Sequence, residues 1–223
     1  MRNFMSNTRF MLLWGLGSIA SLFSAIVVGF LLFVVIGLIV SAIMGDGLAN
    51  LTPVFAMLIV GIWFGGVGMV MGWTVGGIQK AILRMHTREP WRGWLVSSAI
   101  GGFVGVIGTF AILASQIAGH FLMQVLPTPD TMLWWFFQFI LIFFGSLGLC
   151  QMFALRQYSR GAWVWILANL VAGVVLYSLV AFGWLSFITT PPLAIVAGFL
   201  VAAAPGIVTG FALVWLMNSN WRS

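Results

Sequence analysis

The chain has 223 residues, of which 62% are hydrophobic and only 5% charged. A water-soluble domain carries about 25% charged residues, so three acids and nine bases cannot solvate a surface of this size, and lipid must be the solvent for most of it. The net charge of +6 sits beside apolar runs, which points to anionic headgroups rather than nucleic acid as the counter-charge, and a single cysteine excludes an intrachain disulfide.

Arg2 and Arg9 precede an apolar run over 11–43. The run is far longer than the roughly 7–15 residues of a signal-peptide core, so it reads as an uncleaved first helix. Gly45-Asp46-Gly47 through Thr52-Pro53 ends it, and a second span covers 53–78. Gln79 to Gly93 then forms a polar connection holding Lys80, Arg84, Arg88 and Arg92, with His86 expected to be solvated among them. The third span, 94–124, carries Gln116, His120 and Gln124 at four-residue spacing. Counted from Trp94 at about 1.5 Å per residue, this stripe reaches the far membrane boundary. It reads as a solvated extension along the membrane, with a polar pocket as the alternative. His120 lacks a second ligand for a metal, and no cofactor is expected. Pro127 to Asp130 breaks the chain before span four, 132–155, in which Cys150 reads as a packing residue. Arg156 to Gly161 leads to span five, 162–187, where Asn169, Tyr177 and Ser178 are candidates to line a small pocket. Thr189 to Pro192 leads to span six, 193–217, and Arg222 follows it. The expected fold is all-α: one polytopic domain over 1–223 with six transmembrane helices.

All nine bases fall at the termini or in the second and fourth connections, whereas the other three connections hold only Asp46 and Asp130. By the positive-inside rule both termini and the even connections are cytoplasmic. A bacterial cytoplasmic (inner) membrane is expected, with a thylakoid membrane as an alternative.

Residues 76–91 and 148–163 share G-x-x-Q-x-x-x-L-R-x-x-x-R-x-x-W at a constant offset, and Gly206, Thr209 and Leu213 form a degenerate third copy. Tandem repetition of a two-helix unit is the simplest explanation. Gln79 and Gln151 stand where a Gln can bond across to another helix, and Arg84, Arg88, Arg156 and Arg160 where arginines reach phosphate or acidic groups. These six residues are the candidate lipid- or partner-binding set, with a membrane-interface anchor as the simpler reading. The repeat and the closing stretch Gly206 to Leu216 resemble a group of uncharacterised multi-pass membrane proteins common in cyanobacteria and other filamentous bacteria. The resemblance covers the basic ends of spans two to six and implies no activity.

Glycines at four-residue spacing in spans two, three and six, with Ala202 continuing the stripe in span six, let helices approach closely, within the chain or against a partner. Trp91, Trp94, Trp163, Trp165, Trp215 and Trp221 suggest an aromatic belt on the basic side. No acid or base lies mid-span, and no catalytic or phosphate-binding motif is present, so an enzyme is not expected. The first expectation is a non-catalytic subunit or scaffold contacting membrane lipids and other subunits or a second copy, without nucleic acid. The alternative is a transporter or binding component for a neutral or apolar solute, using Asn169 or the stripe of Gln116, His120 and Gln124.

Overall fold

The computed structural model describes residues 6–44, 53–87, 89–122, 128–187 and 191–219. It is all-helical, with α1 (Asn7–Met44), α2 (Pro53–Thr87), α3 (Trp94–Leu122), α4 (Pro129–Leu155), α5 (Val164–Phe187) and α6 (Pro191–Ser219). All six are long and apolar enough to cross a membrane.

The helix boundaries follow from local chemistry. Pro53, Pro129 and Pro191 open the three even-numbered helices. Proline suits a first turn because its missing N–H would have no partner there and its φ is already helical. Thr128 caps α4, its Oγ1 accepting from the Thr131 amide at 3.3 Å. The expected break at Gln79 is absent, and α2 continues to Thr87. Residues 79–87 contain neither Gly nor Pro, and Ile82 and Leu83 are buried while Arg84 is exposed. The polar connection is therefore a helix end with one wet face and one packed face.

The turn that follows places Trp91 at φ 46° and Gly93 at φ 79°. A left-handed non-glycine residue costs about 1–2 kcal/mol. Burial and bonding of the Trp91 ring hold it there. Its Nε1 donates to Thr87 Oγ1 at 2.8 Å, and the neighbouring Arg92 amide donates to the Tyr158 hydroxyl at 3.1 Å.

Each helix packs on its chain neighbours and α6 closes against α1, so the six form a ring. One core cluster joins Phe10 and Trp14, Ile82 and Leu83, Trp94, Leu155, Trp165, and Leu213 and Leu216. The starts of the odd helices and the ends of the even helices therefore lie together. Arg9, Lys80, Arg84, Arg92, Arg156 and Arg160 belong to these ends, which we call the basic end. Glycines set the α2–α3 seam: a Cβ at Gly102 would strike the Gly68 carbonyl, and one at Gly72 the Ser98 carbonyl. Such contact is the main source of cohesion between helices in lipid.

Candidate functional site

Trp14, Trp94 and Trp165 stand near the starts of the odd helices. Each backbone carbonyl accepts at 2.8 Å from a side chain one turn on: Ser18 Oγ, Ser98 Oγ and Asn169 Nδ2 respectively. Those three side chains press on Gly206, Gly76 and Gly148, where any Cβ would collide with them. Three residues beyond each glycine come Thr209, Gln79 and Gln151. Four further on come Leu213, Leu83 and Leu155, all fully buried. The pairs α6–α1, α2–α3 and α4–α5 thus build the same corner three times.

Indole donors complete two of the corners. Trp165 Nε1 donates to Gln151 Oε1 at 2.9 Å, and Trp14 Nε1 to Thr209 Oγ1 at 3.0 Å. An indole N–H can only donate, which orients the Gln151 amide. Its Nε2 then donates to Gln79 Oε1 at 2.9 Å and to Ser98 Oγ at 2.8 Å. Gln79 has committed its carbonyl to Gln151, and at the third corner the buried Trp94 Nε1 has no partner. The pattern is broken there.

Above this layer lies a cavity of about 360 Å³, within the roughly 300–1,000 Å³ range of small-molecule pockets. Gln79, Ser18, Thr209 and Asn169 line its basic end, and Phe136, Phe139, Phe143 and Phe144 of α4 form one wall. Asn169 to Val180 on α5 and Phe136 to Leu147 on α4 each measure about 16 Å of helix. Among the described residues, no charged side chain lines it and none of the lining comes from α3.

Ser21 and Val201 are among the lining positions that retain hydrogen-bonding capacity. Ser21 is 2% exposed and its hydroxyl has no partner. Pro205 interrupts α6, and without an N–H it cannot serve the Val201 carbonyl one turn earlier. Both Val201 and Pro205 line the cavity. Thr209 uses its own hydroxyl on the Pro205 carbonyl at 2.7 Å. Among the described residues, no group of three or more His, Cys, Asp or Glu is placed to hold a metal ion.

The residues singled out in the sequence separate into different places. Gln79 and Gln151 are interior and bonded to each other, whereas Arg84, Arg156 and Arg160 are exposed at the basic end. Arg88 lies outside the described residues. Gln116 donates to Gln138 of α4 at 2.9 Å and does not line the cavity, whereas Asn169 does. The His120 side chain and Gln124 lie outside the described residues. Tyr177 packs on Phe137 at 4.7 Å, and Ser178 bonds its own helix at the Val174 carbonyl.

Two expectations are corrected. His86 is 1% exposed and stacked on Phe10 at 4.4 Å rather than solvated, because α2 runs on and places it on the packed face with Leu83. Trp91, Trp94 and Trp165 are fully buried rather than belt residues, while Trp163 and Trp215 are half-exposed. Trp221 lies outside the described residues. The sequence reading missed Ser18, Ser21 and Pro205. A signal for the first was present, since Trp-x-x-x-Ser recurs at Trp14 and Trp94 and as Trp-x-x-x-Asn at Trp165.

Comparison of the chain with family profiles, curated proteins and solved structures finds no match.

Proposed function

We propose that this chain is a non-catalytic membrane component that binds or conveys a neutral, largely apolar small molecule within its helical ring. The observation that carries this reading is the cavity of about 360 Å³, without charge among its described lining residues, polar at its basic end and aromatic along α4. A ring held together only for scaffolding gains nothing from such a void, because its lining forfeits packing contacts. The three like corners support a threefold repeat of a helix pair, and the distribution of bases supports a six-pass layout with the basic end cytoplasmic. In a bacterial cytoplasmic membrane, the exposed Arg84, Arg156 and Arg160 would then meet anionic headgroups.

Two experiments test this. Protein purified in a detergent too bulky for the cavity should release one neutral lipid class on organic extraction, in near-stoichiometric amount. Ala202→Trp should lose it, and an extract matching the bulk membrane would overturn the reading. For orientation, a cysteine replacing Asp130 in a Cys150→Ala chain should react with an impermeant thiol reagent added outside intact cells, and reaction only after lysis would reverse the layout.

A second reading, a subunit of a larger complex, is favoured by Gly61 and Gly198, where a Cβ would meet nothing and a further helix could approach. Cysteines at these positions should crosslink to a neighbour of defined mass, and a single-chain product under all conditions would remove it.

A further inference from the structure

We propose that the occupant of the cavity is a neutral single-chain amphiphile, its hydroxyl or amide head toward the basic end at Ser21 and Asn169 and its tail along the phenylalanines of α4. This rests on the binding reading above and adds the chemistry and direction of the ligand.

The head is set by unmet hydrogen-bonding capacity. The Ser21 hydroxyl is buried without a partner, and a buried polar group left so is costly. Asn169 uses one N–H on the Trp165 carbonyl, leaving its second N–H and its Oδ1. Gln79 accepts from Gln151 through Oε1, which leaves its Nε2. The Val201 carbonyl lacks its donor because Pro205 has no N–H. Donors and acceptors are both present, and a hydroxyl or amide answers both. A carboxylate would lie without a cation among the described residues, since none of those lining the cavity is Lys, Arg or His, and burying an unpaired charge is prohibitive. A bare hydrocarbon would leave Ser21 as it stands.

The tail is set by size. At about 30 Å³ per water-sized group, the cavity holds about a dozen such groups. Its lining extends about 16 Å along α4 and α5, so those groups fit as one extended chain, not a branched or two-chain lipid.

The test uses the full chain in nanodiscs of phosphatidylcholine and phosphatidylglycerol, with radiolabelled 1-dodecanol as probe and empty discs as background. Dodecane and dodecanoate compete at neutral pH. Dodecanol should bind saturably, and both competitors should be at least about tenfold weaker. Ser21→Ala should weaken binding about three- to tenfold, the worth of one neutral hydrogen bond. Because the Ser21 hydroxyl bonds nothing in the fold, this variant should fold as the parent does. Asn169→Leu should weaken binding further, and Ala202→Trp should abolish it. If dodecane competes equally and Ser21→Ala binds normally, the head assignment falls while the cavity remains a binding site. If dodecanoate competes best, a neutral head is wrong. If no probe shows binding sensitive to Ala202→Trp, the ligand proposal and the binding reading fall together.

Discussion

The two halves of the ring answer the same demand, closure of a helical tube in lipid, in opposite ways. At the basic end, Trp14, Trp94 and Trp165 fill the axis and Gln151 ties α2, α3, α4 and α5 together through three hydrogen bonds. Beyond that layer α1, α2, α4, α5 and α6 line a cavity with a phenylalanine wall on α4. In lipid there is no water to drive helices together, so cohesion depends on close packing and on polar groups that can find no other partner. The end with both is filled, and the half whose lining is almost wholly apolar can remain open.

That contrast can be broken most severely at Gln151. Replacing it by Leu orphans Trp165 Nε1 and Gln79 Oε1 and removes a donor to Ser98. At about 1–3 kcal/mol per buried orphan, Gln151→Leu should lose about 4 kcal/mol in reversible unfolding in mixed micelles. A loss under about 1 kcal/mol would mean that the network does not hold this end.

Next comes the α2–α3 seam, where the obstacle is backbone and cannot swing aside. Gly102→Ala should cost about 2 kcal/mol by overpacking against the Gly68 carbonyl. Unchanged stability would show that the seam yields.

The three tryptophans sharpen the comparison further, because Trp→Phe removes similar volume at each. Trp165→Phe also orphans the buried Gln151 carbonyl, and Trp14→Phe leaves Thr209 still bonded to Pro205. Trp94→Phe removes an N–H that had no partner. The loss should therefore fall in the order Trp165, Trp14, Trp94, with at least about 2 kcal/mol between the extremes. Equal losses in parallel denaturation curves would mean that the corners differ only on paper.

The smallest effect is expected in the open half. Ala202→Leu grows into the cavity, so its stability should stay within about 1 kcal/mol of the parent while ligand capacity falls. A large destabilisation would show that the void is not available space.

How far the fold could be read in advance varied along the chain. Pro53, Pro129 and Pro191 mark their helix starts to within a few residues, because proline acts locally. The end of α2 was misplaced because Gln79, Lys80 and Arg84 look like a loop in a linear reading. Only the third dimension shows that His86 and Leu83 share the packed face behind them. Gln79 and Gln151 were recognisable as equivalent positions, but their mutual hydrogen bond was not. Trp165, on the helix after Gln151, is the donor that orients the pair.

By itself the sequence determined six lipid-compatible helices and the gathering of charge at their ends. Apolar length and the cost of burying charge are properties of each segment alone. The tertiary structure decided that the tryptophans fill the axis instead of ringing the surface. It also decided that Ser21 and Asn169 face a shared cavity and that Gln116 turns away to α4. Those outcomes depend on which faces meet when α6 closes on α1. That choice is made by close contacts between residues far apart in the chain, such as Gly206 with Ser18.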